Sequence, residues 1–147
     1  MLPERKKLPH AIPAWANDGA IYFITICASP RGQNQLARLE TASLIYDSFL
    51  FREQRGDWWA HLLLLMPDHL HALMSFAPEP GMQHAIAQWK HYIAHKMGFQ
   101  WQRDFFDHRL RNSENHREKA HYIRMNPVRA GLVAKPEEWP FVWSKTW

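Results

Sequence analysis

The chain has 147 residues, of which 46% are hydrophobic, and this length and composition predict one domain with a buried core. It contains no run of about eighteen apolar residues and no apolar stretch behind its basic N-terminus, which argues against a transmembrane segment and a secretory signal. Cys27 is the single cysteine, so an internal disulfide and a cysteine-based zinc site are excluded. We therefore expect a cytoplasmic protein with no membrane partner.

Positive charge is concentrated in the second part of the chain. The formal net charge is +4, and residues 87–147 carry eleven Lys and Arg against six Asp and Glu, whereas residues 1–86 carry seven against eight. Aromatic residues make up 14% of the chain and include eight tryptophans. This combination favours a nucleic-acid partner, because phosphates attract cations and bases stack on rings. Composition alone leaves open a mildly basic protein whose tryptophans are mostly core.

The first half of the chain predicts an arm, a strand, a helix and a two-stranded hairpin. Residues 1–19 are polar and broken by three prolines, so we interpret them as an N-terminal arm and place the single domain at residues 20–147. The elements predicted after the arm are a strand at 20–28, a helix at 33–55 ended by Gly56, a strand at 57–66, a Pro67-Asp68 turn and a strand at 69–76. In the second strand, alternation predicts one face with Trp58, Ala60, Leu62, Leu64 and Met66 and another with Trp59, His61, Leu63 and Leu65.

The second half predicts a long amphipathic helix and a less regular C-terminal region. Apolar residues recur at helical spacing from Met82 to Met97 and predict a helix that ends near Gly98. The elements predicted after it are an edge strand or ordered arm at 101–110, a helix from about Ser113 to the Asn126-Pro127 break, and an ordered tail at 128–147.

The order strand, helix, strand, strand, helix, strand predicts an α+β fold of the ferredoxin-like kind. In this fold an antiparallel sheet carries both helices on one face. The chain would add an extra C-terminal helix and an ordered tail to that core.

Two histidines stand one residue apart within the apolar run LLLLMPDHLHALMSF. Because side chains alternate along a strand, His69 and His71 share one face, while Leu70, Ala72 and Met74 line the other. Two neighbouring neutral imidazoles can bind a divalent metal. The alternative, a pair of hydrogen-bonded or solvent-facing histidines without a metal, stays open at this point.

Tyr92 is the predicted nucleophile. On a helical wheel it lies with Gln88, His95 and Lys96 at the edge of the apolar stripe, and a helix that crosses the sheet would place it over the two histidines. Its hydroxyl can attack phosphorus to form a phosphotyrosine, which a 3′ hydroxyl can attack in turn. A divalent ion on the histidines would offset the developing charge, and Lys96 would favour the phenolate. A purely structural tyrosine is the alternative.

The remaining tyrosines and histidines are expected to be mainly structural. Tyr22 and Tyr46 belong to core elements, and Tyr122 in the third helix is the one rival nucleophile. His61 is expected to be a hydrogen-bonded core group. His108 could approach the site from the edge of the sheet.

Three sequence blocks carry a resemblance to a known family. MPDHLHALM resembles the histidine-hydrophobic-histidine motif of the HUH superfamily, and WKHYIAHKMG resembles its nucleophile helix. WQRDFFDHRLRN, HYIRMNPVRAGLV and WPFVWS resemble the C-terminal half of the REP-associated tyrosine transposases. The resemblance implies a metal-dependent endonuclease and strand transferase that acts on single-stranded DNA near hairpin-forming repeats. It also implies Mg²⁺ or Mn²⁺ on His69 and His71, with Tyr92 as nucleophile.

One position departs from the pattern of that family. Relatives commonly place Gln or Asn about one helical turn after the tyrosine as a further metal ligand, whereas this chain has Lys96 there. Either His95 or Gln88 substitutes as the ligand, or the metal site is weakened. In the second case the protein is a DNA-binding protein that has kept the fold without the chemistry.

The basic half supplies several candidate DNA contacts, which we interpret as one surface rather than as isolated solvated side chains. They are Lys90, Trp101, Arg103, Arg109, Arg111, Arg117, Arg124 and Arg129. The predicted partner is single-stranded or hairpin DNA, bound by a monomer or a homodimer. A small metal hydrolase that uses the histidines alone is a third hypothesis, weakened because no partner carboxylate is evident for them.

Overall fold

The computed structural model describes residues 11–17, 19–111 and 115–145. The strands of this part are β1 Tyr22–Ser29, β2 Trp58–Leu65, β3 His69–Phe76, β4 Gln100–Trp101, β5 Phe106–Arg109 and β6 Val142–Ser144. The α-helices are α1 Ala14–Asn17, α2 Leu39–Arg55, α3 Met82–Met97, α4 His116–Arg124 and α5 Asn126–Arg129, and a 3₁₀ turn covers Pro136–Glu138. None of the described helices combines the length and the apolar character needed to cross a membrane.

The strands form one antiparallel sheet in the order β4, β1, β3, β2, β6, and β5 also pairs with β1. The helix α2 connects β1 to β2, and α3 connects β3 to β4. This arrangement of the first four strands and two helices is the predicted ferredoxin-like core. The predicted α+β class is therefore confirmed.

Both faces of the sheet are covered, but by different helices. The helices α2 and α3 pack on the face that carries Leu70, Ala72 and Met74, where they bury a cluster of aromatic rings. The helix α4 packs on the opposite face, where Ala120 and Ile123 join a second apolar cluster. Each large apolar side chain that is fully buried in this way stabilises the fold by about 1.5–3 kcal/mol.

A β-bulge makes the predicted faces of the second strand wrong beyond His61. The register of β2 against β3 shifts between Ala60 and Leu62, which places one extra residue in β2. Because side chains alternate, everything after the bulge changes face. The face of α2 and α3 therefore has Trp58, Ala60, Leu63 and Leu65, whereas Leu62, Leu64 and Met66 face α4.

The helix α2 begins later than predicted and ends where expected. Residues 33–38 form turns instead of helix, because the N–H groups of Gln35 and Leu36 donate to the carbonyl of Pro67 at 2.8 and 2.9 Å. At the other end Gly56 adopts a left-handed conformation, with φ of 96°, that suits a residue without a Cβ. The predicted helix from Met82 to Gly98 matches α3.

The predicted edge strand at 101–110 is divided into two pieces. The strands β4 and β5 both pair with β1, and Asp104 between them has a positive φ of 65°. The helix α4 starts after Asn115, whose side chain accepts a hydrogen bond from the Arg117 N–H at 2.8 Å. The predicted start at Ser113 lies outside the described residues, as do residues 1–10 of the predicted arm.

The C-terminal tail is more regular than the sequence predicts. Pro127 does not end the helical path but stands in the first turn of the short helix α5. Residues 142–144 form β6, a sixth strand that pairs with β2 and that the sequence did not predict. Its three residues are too few to show a strand pattern of their own.

Candidate functional site

The strand β3 places His69 and His71 on the sheet face that α4 covers. Their ring centroids lie 4.9 Å apart, and both side chains are partly buried. The side chain between them, Leu70, is fully buried on the other face. The prediction that the two histidines share one face is confirmed.

Each imidazole is held through its Nδ1 atom. His69 Nδ1 lies 2.8 Å from Oδ1 of Asp68, and His71 Nδ1 lies 2.9 Å from Oγ1 of Thr25. When both Nδ1–H groups donate to these oxygens, both Nε2 atoms keep a free electron pair. A carboxylate or hydroxyl behind the ring is the usual partner of a metal-binding histidine, so this pair fits a divalent metal.

The electrostatic surroundings of His71 and Asp68 keep those two side chains in the protonation states that metal binding needs. Burial, with smaller contributions from the nearby His69 and Arg129, lowers the pKa of His71 to about 3, so the ring is neutral at pH 7. Burial acts to raise the pKa of Asp68. Hydrogen bonds from Arg31, the Gly32 N–H and His69 outweigh that effect and hold this pKa well below its usual range.

The described residues contain no group of three or more His, Cys, Asp and Glu side chains that could hold a metal ion. A complete metal shell here therefore requires donors of another kind, such as an amide oxygen, water or a substrate phosphate.

The predicted placement of Tyr92 over the histidines is wrong. The helix α3 covers the face of Leu70, and the pleat of β3 turns His69 and His71 to the other face. Tyr92 instead points along the edge of α3 toward α2, where its ring centroid lies 6.0 Å from the guanidinium carbon of Arg52.

The other predicted partners on α3 remain with Tyr92. The ammonium of Lys96 lies 5.9 Å from the Tyr92 ring centroid, and the His95 ring stacks on His91 at 6.2 Å. The sheet separates both from the histidine pair, so neither His95 nor Lys96 is placed to complete a metal site there.

The structure brings Tyr122, on α4, to the face of the histidine pair. A chain of contacts connects them, because the Phe23 ring lies 5.3 Å from the His71 ring and the Lys119 ammonium lies 5.7 Å from Phe23 and 5.6 Å from Tyr122. The Arg129 guanidinium lies 4.2 Å from the centroid of the Tyr122 ring. Tyr122 is 53% exposed, so this residue is open to solvent on the face of the histidine pair.

Comparison with known proteins places these features in a family context. No family model matches the chain. A REP-associated tyrosine transposase of Escherichia coli K12 is 32% identical over 83 residues, which cover 53% of this chain and 49% of that protein. A candidate REP-associated tyrosine transposase of Haemophilus influenzae is 23% identical over 141 residues, which cover 84% of this chain and 78% of that protein. This chain is related to the REP-associated tyrosine transposases.

Solved structures show the same likeness in the fold. The structure of a REP-associated tyrosine transposase bound to a REP hairpin superposes with a TM-score of 0.74 and 21% identity, over 97% of this chain and 82% of that one. A candidate transposase from Deinococcus radiodurans gives a TM-score of 0.52 and 17% identity, over 81% of this chain and 94% of that one. The matched part of this chain spans about half the length of the Escherichia coli relative, at 49%.

The candidate DNA contacts of this chain do not all offer open cationic surface. The Lys90 ammonium donates to the carbonyls of Gln102 and Asp104 at 3.0 and 2.6 Å, and Trp101 Nε1 donates to the Lys90 carbonyl at 2.9 Å. Burial also lowers the pKa of Lys90. These two residues fix the connection from α3 to β5 and thereby have a structural role.

The candidate arginines divide between the two faces and the sheet edge. Arg124 Nη2 donates to Ser144 Oγ at 2.7 Å and joins α4 to β6, while Arg129 Nη2 donates to the Tyr122 carbonyl at 2.6 Å. Exposed side chains are found at Arg103, Arg109, Arg111 and Arg117. Arg109 pairs with Tyr22 in the sheet and so lies on the face of α2 and α3.

The two other histidines considered for the site, His61 and His108, occupy different environments. His61 is a core group whose Nε2 lies 3.3 Å from Ser75 Oγ, as predicted. His108 pairs with Phe23 on β1 and lies on the face of the histidine pair. Asp68 and Thr25 were missed as supports of that pair. Their signal was present, since Asp68 precedes His69 and Thr25 is a polar residue inside an apolar strand.

Proposed function

We propose that the protein is a single-stranded DNA endonuclease and strand transferase whose nucleophile is Tyr122. The observation that carries this proposal is the convergence of an exposed tyrosine, two cations and a histidine pair on one sheet face. The names of its relatives support the reaction class. The hairpin bound by one relative supports hairpin-forming DNA as the substrate.

The proposed reaction consists of two opposite transesterifications. The Tyr122 hydroxyl, after losing its proton to solvent, attacks a backbone phosphorus, and the bond from phosphorus to the 3′ oxygen breaks. The products are a 5′-phosphotyrosine and a free 3′ hydroxyl. A 3′ hydroxyl then attacks the phosphotyrosine and releases Tyr122, so the bond energy is conserved. Arg129 and Lys119 lie where they attract the phosphate and offset its developing charge.

The divalent metal, Mg²⁺ or Mn²⁺, would be held by the Nε2 atoms of His69 and His71. When bound, such an ion supplies Lewis-acid polarisation of the scissile phosphate. The family pattern places an Asn or Gln one helical turn after the tyrosine as a further ligand. Counted from Tyr122, that position is Asn126. With Tyr122 as the nucleophile, the chain therefore matches the family pattern at the position where counting from Tyr92 gave Lys96.

The experiment compares two single substitutions that each remove one hydroxyl. Three proteins are compared: the unmodified protein, the Tyr122→Phe variant and the Tyr92→Phe variant. Each is incubated with single-stranded hairpin oligonucleotides and Mn²⁺, and protein-linked DNA is resolved on a denaturing gel. We expect Tyr92→Phe to form the adduct and Tyr122→Phe to form none. Adduct formation by Tyr122→Phe would refute the assignment.

A non-catalytic hairpin-binding protein is the second candidate. The described residues supply no third His, Cys, Asp or Glu ligand, so a metal shell would depend on the neutral amide of Asn126 or on the substrate, and a weakly held metal favours this second candidate. Retained hairpin binding with no adduct from the unmodified chain, in Mn²⁺ and in Mg²⁺, would support this candidate over the enzyme. For either candidate we propose the cytoplasm as the location where the protein binds DNA.

A further inference from the structure

We propose that the hollow between α2 and α3, on the sheet face away from His69 and His71, is a second site that binds a phosphate group. This α2–α3 hollow has a volume of about 500 Å³. It is lined by Arg52, Arg55, His84, Ala87, Gln88, His91, Tyr92 and His95. The proposed cleavage chemistry uses none of these residues.

Arg52 is the feature that points to a ligand. Only 8% of this residue is exposed, and its Nη1 atom is buried without a hydrogen-bond partner. Nη1 lies 3.6 Å from Oδ2 of Asp57, which is an ion-pair distance beyond hydrogen-bond reach. A buried guanidinium nitrogen left without a hydrogen bond is costly. Because Arg52 lines the hollow, an oxyanion bound there is the acceptor that this guanidinium lacks.

The charges around the hollow leave a positive excess. Arg52 and Arg55 share a single carboxylate, that of Asp57, which Arg55 Nη2 contacts at 2.5 Å. Lys96 adds a further cation next to Tyr92. Asp47 lies in the adjoining recess, which Arg52 and Tyr92 also line. Arg55 remains 45% exposed, so its guanidinium can contact a second anion.

The donor groups of the hollow match the oxygens of a phosphate. His84, Gln88, His91 and His95 follow one another along α3 at spacings of four, three and four, so their polar groups lie on one helix face. Guanidinium, imidazole, amide and phenol groups all offer N–H or O–H donors, and arginine is especially suited to phosphate because its donors form a planar fork. The ligand class is therefore a phosphate, from a DNA backbone or from a free phosphate compound.

The test measures phosphate binding rather than cleavage, so its failure is distinct from failure of the proposed enzyme. Inorganic phosphate is titrated at constant ionic strength into ¹⁵N-labelled chain, with chloride as the reference anion. We expect saturable shifts in the amide signals of the end of α2 and of α3. Two variants that each remove a donor of the hollow, Arg55→Gln and His91→Ala, should weaken phosphate binding. For Arg55→Gln we expect the dissociation constant to rise by about tenfold or more.

Arg38→Gln is the matched control. Arg38 is an exposed arginine at the start of α2, about 25 Å along the helix from Arg55. Binding should be unchanged in this variant. Absence of shifts in the unmodified chain, or equal affinity in all three variants, would overturn the proposal.

A second titration separates the two sources of phosphate. A hairpin oligonucleotide is added in EDTA, so that only binding is observed. Shifts of the same α2 and α3 signals, with displacement of inorganic phosphate, identify the DNA backbone as the source. If these signals respond to inorganic phosphate and remain unchanged with the hairpin, the site binds a free phosphate compound and not the DNA backbone.

Discussion

His69 and His71 show how single residues are prepared for metal binding by their neighbours. Asp68 and Thr25 engage the Nδ1 atoms, and this leaves Nε2 as the donor on each ring. Arg31 in turn bonds the Asp68 carboxylate at 2.9 Å, which keeps that group ionised. The histidine pair therefore depends on a small network of hydrogen bonds outside the HLH motif itself.

The environment of His61 leads us to expect that the stability of the fold depends on acid pH. Burial lowers the pKa of His61 to about 4, with Lys145 and His116 contributing, whereas an unfolded histidine titrates near 6.5. Between these values the unfolded chain binds a proton that the folded chain does not. The free energy of unfolding therefore falls as the pH falls from about 6.5 to 4, by at most about 3 kcal/mol from this group.

We expect His61→Gln to reduce this acid dependence, as measured by urea unfolding at pH 7, 5 and 4. His84→Gln, which changes an exposed histidine, serves as the control and should keep the dependence of the unmodified chain. An identical loss of stability in His61→Gln and the control would contradict the prediction.

Among the elements, the bulge in β2 has the largest effect on the structure. It lies where Glu53, fully buried at the end of α2, accepts a hydrogen bond from the Ala60 N–H at 2.5 Å. Lys145, just after β6, forms an ion pair with Glu53 and also bonds the Ala60 carbonyl. One pair of charges thus connects a helix, a bulged strand and the C-terminal strand.

Removal of Lys145 should destabilise the fold strongly. Lys145→Met would leave the Glu53 carboxylate buried without its cation, and loss of one partner of a buried pair costs about 3–5 kcal/mol. Since Lys145 is 21% exposed, we expect about 3 kcal/mol by urea unfolding. Lys135→Met, at an exposed lysine in the same region, should change stability by less than about 0.5 kcal/mol. A loss below 1 kcal/mol for Lys145→Met would show that the ion pair contributes little.

For the whole molecule, the sheet separates two surfaces with different properties. The face of α4 carries the histidine pair and Tyr122, whereas the face of α2 and α3 carries Tyr92 and the α2–α3 hollow. Successive side chains of a strand point to opposite faces of the sheet, so neighbouring positions of β3 belong to opposite surfaces. This explains why two tyrosines on two amphipathic helices have different surroundings.

Because the cations and the metal-binding histidines are different residues, we expect DNA binding and cleavage to respond differently to metal removal. Arg129 and Lys119 attract phosphate without a metal, whereas the proposed cleavage requires the ion on the histidine pair. In EDTA we expect hairpin binding to persist on a native gel and adduct formation to stop on a denaturing gel. Added Mn²⁺ should restore the adduct. Adduct formation at full yield in EDTA would contradict a metal requirement.

The sequence by itself determined the features that depend on short-range order. Apolar periodicity located α3, glycines located the ends of α2 and α3, and the alternation of β3 placed His69 and His71 on one face. The order of these elements was sufficient to predict the ferredoxin-like core, because connections of this kind allow few alternatives.

Only the tertiary structure decided which tyrosine lies on the sheet face of the histidines. That outcome depends on the sheet face each helix covers, and helical spacing alone does not specify it. The bulge at His61 and the pairing of β6 likewise rest on contacts far apart in sequence, such as the Lys145–Glu53 pair across 92 positions. Long-range contacts of this type leave no local pattern in the chain, which is why the sequence favoured Tyr92, although Tyr122 lies on the helix that covers the histidine face.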